Sequence, residues 1–480
     1  MTSSLGRLLR NSALFFLSSV VVRAANTVLF ILISRRLGAD EGGIYSLALT
    51  YALLFTQLSF WGMDQLLTRE VAKDRSLAGR FTGSFILIRA ALSTLFVLAL
   101  ILVVSRLDYR PLTSQVIFII GLTIIPESLG NICQALFIAF ERLKFAAAVD
   151  IVVGLMRLMG GGLALFIDGR VETVAVALLA SSLIGLGLNL AIVYRSFPRP
   201  NWRPEWRFWL THIKTTGSFA LIGVFYIIEF QSDTLILSLM RTEREVGLYT
   251  AATTILFTLA LLPYAFRTAI FPVMSRLYAS ASPKLPVVHE KSFKFLLTTS
   301  LPVAAGVTIS ANSIIRLLFG GDFAESVFIL RIVIWTFVLL MINVPSARMM
   351  IVAGAQGASA VFQCVSMFLN IGLNLALIPT LGANGAALAR IVSTCCFVTL
   401  SLAYTWLHLN RWNVLQVATH PVVGLGVMLG LGYLFYGAGD LLAACVGLAG
   451  YAAWIWLSGA VTRDERMMLA RVLGRHVQTG

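Results

Sequence analysis

The sequence predicts an all-α polytopic membrane protein with about 14 transmembrane helices. Of its 480 residues, 58% are hydrophobic and 12% are charged, whereas roughly 25% of a soluble domain is charged. The mean hydropathy of +0.87 is a value for the whole chain, so apolar segments occur throughout its length. This composition excludes a soluble enzyme, a receptor with a single membrane anchor and a large extramembrane domain.

Fourteen apolar runs approach the length of about 20 residues that a helix needs to cross a bilayer. The first run is too long for the apolar region of a secretory signal and has no small-residue cleavage site. We therefore expect it to be a span. The runs are residues 12–33, 44–67, 81–104, 115–139, 147–167, 171–194, 216–239, 246–272, 293–317, 326–347, 358–379, 383–407, 417–436 and 441–457.

The net charge of +15 is explained by membrane topology rather than by binding of nucleic acid. If the N-terminus is cytoplasmic, 23 Lys and Arg, including Arg348, fall on inside segments and seven fall on outside segments. Cytoplasmic loops accumulate cations in this way. Both termini are therefore predicted to be cytoplasmic, which agrees with an even number of spans.

A linker rich in Pro, Trp and Arg, residues 195–214, follows the sixth span and is the longest inside linker between spans. We expect it to join two halves of the protein. The predicted organisation is an N-terminal bundle over 1–205, a C-terminal bundle over 206–410, and two further spans with a basic tail over 411–480.

An internal repeat supports this division. Residues 41–50, EGGIYSLALT, align with residues 245–254, EVGLYTAATT, at a constant offset of 204. The two segments open spans 2 and 8. Because the offset covers six spans, the halves have the same orientation and are related by an axis along the membrane normal, as in transporters that alternate access between two halves.

Arginines inside the apolar runs are candidate functional residues, because an ionisable group near mid-span costs about 2.5–3.5 kcal/mol on insertion scales. Arg23 lies at the middle of span 1 with Ser19 and Asn26 on the same helical face. Arg267 lies in span 8, between two prolines that permit bending. We expect Arg23 and Arg267 to line a cavity, the alternative being buried ion pairs.

The remaining intramembrane arginines differ in position. Arg89, Arg316 and Arg331 are near span ends, where long side chains can extend to the headgroups. Arg157 lies inside span 5. The predicted substrate-binding set is Arg23, Asn26, Arg89, Arg157 and Arg267.

Three acidic residues within the spans are candidates for ion coupling. Glu127 lies on a polar stripe of span 4, and Glu229 and Asp233 lie on a stripe of span 7. A buried carboxylate without a partner has a raised pKa, so these groups could bind and release a proton or a sodium ion. Alternatively, they neutralise Arg23, Arg157 or Arg267, and the sequence leaves both interpretations open.

No pattern predicts a catalytic, metal or cofactor site. There is no phosphate-binding loop, nucleophile elbow or cysteine–histidine pair, and the five cysteines lie inside apolar runs. The chain is therefore predicted to be a transporter without metal or cofactor, and not an enzyme. The basic segment 463–476 is predicted to be an amphipathic helix on the inner leaflet or a solvated tail.

Several short motifs, taken in order, resemble bacterial polysaccharide repeat-unit flippases of the Wzx type. They are Arg23-Ala-Ala-Asn26, Ser34-Arg-Arg-Leu-Gly38, Gly43-Ile-Tyr45-Ser-Leu-Ala48 and Trp61-Gly-Met-Asp64 followed by Thr68-Arg69-Glu70. The likeness covers nearly the whole chain. It identifies the chain as a member of the multidrug/oligosaccharidyl-lipid/polysaccharide exporter superfamily.

The resemblance implies two six-helix bundles in a V that open alternately to either side, followed by two C-terminal helices. It implies a substrate, a polyprenyl diphosphate carrying an oligosaccharide, moved from the cytoplasmic to the outer leaflet of the bacterial inner membrane. Membrane lipids, a polysaccharide polymerase and chain-length proteins are the expected partners. By location, Arg23 and Arg267 match the cavity cations of the family.

Three other functions remain open. The superfamily also contains lipid II flippases for peptidoglycan and multidrug efflux antiporters, although an efflux pump would favour aromatic and acidic walls over arginines. A membrane polysaccharide polymerase or ligase would need a long outer loop, whereas the longest candidate, residues 105–114, has about ten residues.

Overall fold

The structure is a computed structural model that describes residues 2–202, 225 and 227–459, with side chains from Leu17 onward. Three predicted features lie wholly or partly outside the described residues. They are the start of the seventh span, the linker beyond Trp202, and the basic segment 463–476.

The described part of the chain is helical and contains no strand. The helices are α1 (Thr2–Phe60), α2 (Met63–Lys73), α3 (Ala78–Val104), α4 (Pro111–Gly121), α5 (Ile124–Ala139), α6 (Leu143–Ile167), α7 (Val171–Ser196), α8 (227–240), α9 (Glu243–Leu259), α10 (Leu261–Ala279), α11 (Lys284–Ile309), α12 (Ala311–Leu318), α13 (Ser326–Val333), α14 (Trp335–Val352), α15 (Gln356–Leu381), α16 (Ala383–His408), α17 (Val414–Phe435) and α18 (Asp440–Leu457).

The described residues contain 12 stretches that are long and apolar enough to cross a membrane. The first, Leu17–Phe60, has 44 residues, which at 1.5 Å per residue is about twice the thickness of the hydrocarbon core. Gly38 interrupts it with a φ of 86°, so the stretch contains two crossings. Helix α8 ends where predicted span 7 ends. The prediction of an all-α polytopic protein with about 14 spans is therefore confirmed.

Several predicted spans are divided into two helices in the structure, and the ninth shows a physical reason. The ninth, 293–317, is divided at Ser310 into α11 and α12. The reason is a cap: Asp440 accepts hydrogen bonds from the backbone N–H of Ser313 at 2.9 Å and from its hydroxyl. Ser313 N is one of the first N–H groups of α12, and a carboxylate there favours the start of a new helix.

The chain divides into two compact units. Unit 1 comprises Met1–Thr254 and Leu369–Ala389, and unit 2 comprises Ile255–Phe368 and Arg390–Gly480. In unit 1, a buried apolar cluster joins α2, α3, α5 and the end of α7. Phe197, just after α7, stacks on Phe137 with ring centroids 5.1 Å apart, and Asn201 N donates to Gly79 O at 2.7 Å. These contacts fix the start of the linker against unit 1.

Unit 2 has its own core, in which α11 packs against the C-terminal helices α17 and α18. Met428, Ala443 and Tyr451 are buried there with the end of α11. Tyr451 also donates its phenolic hydrogen to Thr298 O at 2.8 Å, so the polar tip of this residue is satisfied inside an apolar cluster.

Candidate functional site

The first helix is held in place by close packing on α6. Two glycines of α6 allow this approach: a Cβ added at Gly154 would lie 3.1 Å from Val22, and one at Gly161 would lie 2.7 Å from Leu29. Because Val22 and Leu29 are two turns apart on α1, their face of the helix is fixed against unit 1.

The polar face of α1 points away from its exposed apolar face. Leu17, Val28 and Leu32 are 41–54% exposed, and their side suits acyl chains. At about 100° per residue, Arg23 lies about 120–180° around the helix from all three. Arg23 and Asn26 are themselves exposed. The structure thus separates the predicted substrate-binding pair on α1 from the surface suited to lipid.

Arg157 of α6 forms a charged network with α5 and α7. Its Nη2 donates to Glu127 Oε1 at 2.5 Å and to Ser182 Oγ at 3.0 Å. Ser182 in turn donates to Glu127 Oε1 at 3.1 Å. The structure therefore brings together Arg157, which is predicted to bind substrate, and Glu127, which is predicted to couple an ion. In this arrangement Glu127 neutralises Arg157.

A polar cavity of about 190 Å³ adjoins this network inside unit 1. Asn131, Gln134, Asp150 and Asn189 contribute to its wall together with Glu127 and Arg157. Gln134 Nε2 donates to Asp150 Oδ1 at 2.7 Å. Two buried atoms, Arg157 Nε and Asn189 Oδ1, have no hydrogen-bond partner in the described part of the chain, and a cavity of this size and polarity can hold water that satisfies them.

Arg89 is enclosed by protein. Its side chain is 0% exposed, its Nη2 lies 2.7 Å from Asp64 Oδ1, and its Cζ lies 5.1 Å from the centre of the Phe60 ring. The expectation that Arg89 extends to the headgroups near a span end is wrong, because the guanidinium is held inside by an ion pair. In this structure Arg89 presents no surface to a substrate.

Asp233 lies at the centre of a buried polar cluster in unit 1. Its carboxylate accepts hydrogen bonds from Tyr249 OH at 2.5 Å and from Asn374 Nδ2 at 2.8 Å. Asn370 Oδ1 accepts from Asn374 at 3.0 Å and from Ser232 at 2.8 Å. Asn370 and Asn374 lie one turn apart on α15.

Glu229 lies one turn before Asp233 on α8 and is half-buried. The polar stripe predicted on span 7 is therefore buried by protein at Asp233 and partly exposed at Glu229.

Arg267 lies on α10 in unit 2. Its side chain is exposed, and its Cζ lies 4.9 Å from the centre of the Tyr264 ring. A guanidinium stacked on an aromatic face keeps its N–H donors available at the edges of its plane. Among the described residues, Arg267 forms no ion pair, so the alternative of a buried ion pair does not apply to it within that part of the chain.

Sequence reasoning missed three polar residues at these sites. Asp64 belongs to a motif of the resemblance, but its pairing with Arg89 was not predicted. Asp150 and Asn189 lie inside predicted spans, and the rule that intramembrane polar residues are functional candidates applies to both. In the part of the chain that is described, no three His, Cys, Asp or Glu side chains group as metal ligands.

Comparison with known sequences gives two family matches and a relative. The sequence model of the polysaccharide biosynthesis protein family matches residues 8–278, and that of the lipid II flippase MurJ matches residues 225–438. The chain is 21% identical over 388 residues to the probable low-salt glycan biosynthesis flippase Agl15 of Haloferax volcanii, covering 80% of this chain and 81% of that protein.

Solved structures share the fold. The lipid II flippase MurJ in an inward closed conformation matches with a TM-score of 0.75 at 15% identity, over 94% of this chain and 99% of that one. A multidrug resistance MATE family transporter in an inward-facing conformation matches with a TM-score of 0.66 at 13% identity, over 81% and 97%.

The helical membrane fold and these matches define a flippase of the multidrug/oligosaccharidyl-lipid/polysaccharide exporter superfamily. Because the first family model covers more than half of the sequence, the chain belongs to the polysaccharide biosynthesis protein family. The resemblance seen in the sequence motifs is thereby confirmed at the level of the superfamily.

Proposed function

We propose that the protein moves polyprenyl-diphosphate-linked oligosaccharide repeat units from the cytoplasmic to the outer leaflet of the bacterial inner membrane, for synthesis of cell-surface polysaccharide. The family membership over residues 8–278 carries this proposal. The relative from Haloferax volcanii, described as a glycan biosynthesis flippase, supports it. Both termini are cytoplasmic in this proposal, and a polymerase and chain-length proteins use the product.

The chemistry of the substrate fits the arginines and the asparagine proposed to bind it. A diphosphate and its sugars cannot cross about 30 Å of hydrocarbon unaided, whereas the polyprenyl tail can stay in lipid. Arg23, Arg157 and Arg267 offer planar donors suited to phosphate oxygens, and Asn26 can bond to sugar hydroxyls. Arg89 has no part in this proposed site because it is buried with Asp64.

The proposed mechanism is alternating access between halves 1–205 and 206–410, coupled to a cation. Asp233 is the first coupling candidate, because its carboxylate is fully buried within the polar cluster that contains Tyr249 and Asn374. Glu127 is a weaker candidate because it neutralises Arg157. Glu229 remains in the proposed set as a half-buried neighbour of Asp233.

A lipid II flippase is the second candidate, favoured by the MurJ family match to residues 225–438. Its substrate also carries a polyprenyl diphosphate, so the same arginines would serve. A multidrug efflux antiporter is less well supported, since the MATE likeness is of fold alone.

A leaflet-accessibility assay in proteoliposomes tests the proposal. Purified full-length protein is reconstituted with a defined polyprenyl-diphosphate oligosaccharide or with lipid II, and the fraction reaching the opposite leaflet is followed over time. We expect faster movement of the oligosaccharide lipid than in protein-free vesicles. Movement of lipid II alone would support the second candidate, and movement of neither would overturn the flippase assignment for both substrates.

A further inference from the structure

Two arginines are neighbours in unit 2. Tyr264, Arg267 and Phe271 lie on one face of α10, at spacings of three and four residues. Arg348, on α14, has its Cζ 5.7 Å from the centre of the Phe271 ring, and Arg267 has its Cζ 4.9 Å from the Tyr264 ring. The two guanidiniums are thus stacked on aromatic rings of the same helical face, and their positive charges repel each other.

No acidic side chain compensates this pair within the described residues. Neither Arg267 nor Arg348 takes part in a described ion pair, and Arg348 Nε is buried without a hydrogen-bond acceptor. Two adjacent like charges disfavour each other, and a buried donor without an acceptor has an energetic cost. A bound anion would offset both effects.

We propose that Arg348 and Arg267 together form a binding site for the diphosphate group of the lipid-linked substrate. This inference rests on the proposed function and adds to it a residue with no previous role. The planar fork of each guanidinium matches phosphate oxygens, and a diphosphate offers two adjacent phosphoryl groups, one for each arginine. Stacking on Tyr264 and Phe271 restricts the orientation of the two forks.

The position of Arg348 also suits an entry site. The sequence predicts Arg348 to lie on a cytoplasmic loop, whereas the structure places it within α14, four residues before the helix ends at Val352. In the predicted orientation this end of α14 faces the cytoplasm. A headgroup arriving from the cytoplasmic leaflet would therefore meet this pair of arginines early.

Arg411 provides a matched control. It is exposed, and its Cζ lies 5.7 Å from the Trp406 ring, the same distance as that between Arg348 and Phe271. It belongs to the same unit and lacks a neighbouring arginine in the described interactions. Replacing it removes one stacked cation without changing the proposed site.

The test is a binding measurement on the full-length protein in detergent, with farnesyl diphosphate and farnesyl monophosphate as probes. Replacement of a charged hydrogen-bond donor predicts that Arg348→Ala weakens diphosphate binding by about tenfold and monophosphate binding by less. Arg348→Lys should keep part of the affinity, and Arg411→Ala should bind as the wild type does. Thermal melting verifies folding, and Arg348→Gln replaces the alanine variant if that variant unfolds.

Wild-type affinity for farnesyl diphosphate in Arg348→Ala would overturn the inference. An equal loss of affinity for both probes in Arg348→Ala would overturn the assignment to a diphosphate. If the wild type did not bind farnesyl diphosphate, the proposed site itself would be overturned. Failure of the proposed function has a different signature: the wild type binds farnesyl diphosphate but moves no lipid-linked oligosaccharide in proteoliposomes.

Discussion

Gly43 on α1 and Gly247 on α9 lie against each other's helix backbone in a reciprocal contact. A Cβ at Gly43 would overlap the carbonyl oxygen of Glu243, and a Cβ at Gly247 would overlap that of Ala39. Both pairs, Gly43 with Gly247 and Ala39 with Glu243, are separated by the offset of 204 that defines the sequence repeat. The two copies of the repeat therefore meet through equivalent atoms, and only glycine permits so close an approach.

Alanine at either position should force the two helices apart. Overpacking of this kind costs about 1–3 kcal/mol, so Gly43→Ala and Gly247→Ala are expected to lower the thermal midpoint of the purified protein and its flipping rate. Gly162→Ala is the control, because a Cβ there meets no atom within 4 Å. If Gly43→Ala melts and transports like Gly162→Ala, the crossing does not depend on glycine.

The ion pair of Arg89 and Asp64 should stabilise the fold without taking part in transport. Arg89→Ala leaves the carboxylate of Asp64, which is only 14% exposed, without its cation, and this is expected to cost up to about 3–5 kcal/mol in the free energy of unfolding. The neutral double variant Arg89→Met with Asp64→Asn should recover most of the thermal stability and the flipping rate. A stable double variant that no longer transports would instead indicate a direct role for Arg89.

Cation coupling should depend on Asp233 more than on Glu127. Asp233→Asn keeps the size of the side chain and removes its charge, so the flipping rate should become the same with and without an imposed proton or sodium gradient. Glu127→Gln leaves Arg157 without its anionic partner and should slow transport while preserving the response to the gradient. Gradient-dependent flipping by Asp233→Asn would reject this assignment. The measurement is the proteoliposome assay with the gradient set across the vesicle membrane.

The sequence predicts the spans well because apolar runs that are long enough to cross the bilayer are stable only in lipid. The glycines of the repeat could also be found, since their spacing is visible in the chain. The contact between these glycines could not be predicted, because the alignment shows which residues are equivalent and does not show that equivalent residues touch.

The pairing of Arg89 with Asp64 could not be predicted because it depends on a local turn. The sequence predicts one helix over 44–67, whereas the structure breaks it at Trp61 and Gly62, which have φ values of 43° and 69°. These conformations start a new helix, α2, from which Asp64 meets Arg89. Such backbone geometry is unusual for tryptophan and cannot be read from hydropathy.

Arg348 shows how a span boundary changes an assignment. Hydropathy decreases at Ser346 and Arg348, so the sequence ends the tenth span at Ala347. The helix continues to Val352 because Met349 and Met350 are buried by tertiary contacts. The same arginine therefore changes from a loop charge to a member of a paired site.

The most direct test of the central claim is the flipping rate of a polyprenyl-diphosphate oligosaccharide by variants of Arg23 and Arg267. Loss of charged hydrogen bonds to phosphate, worth about 1.5–3 kcal/mol, should slow Arg23→Ala and Arg267→Ala by about tenfold or more, with part of the rate kept by Arg23→Lys. Arg170→Ala, which removes an exposed cation 3.8 Å from Asp168, should transport normally. Transport at the wild-type rate by both Arg23→Ala and Arg267→Ala would contradict the account.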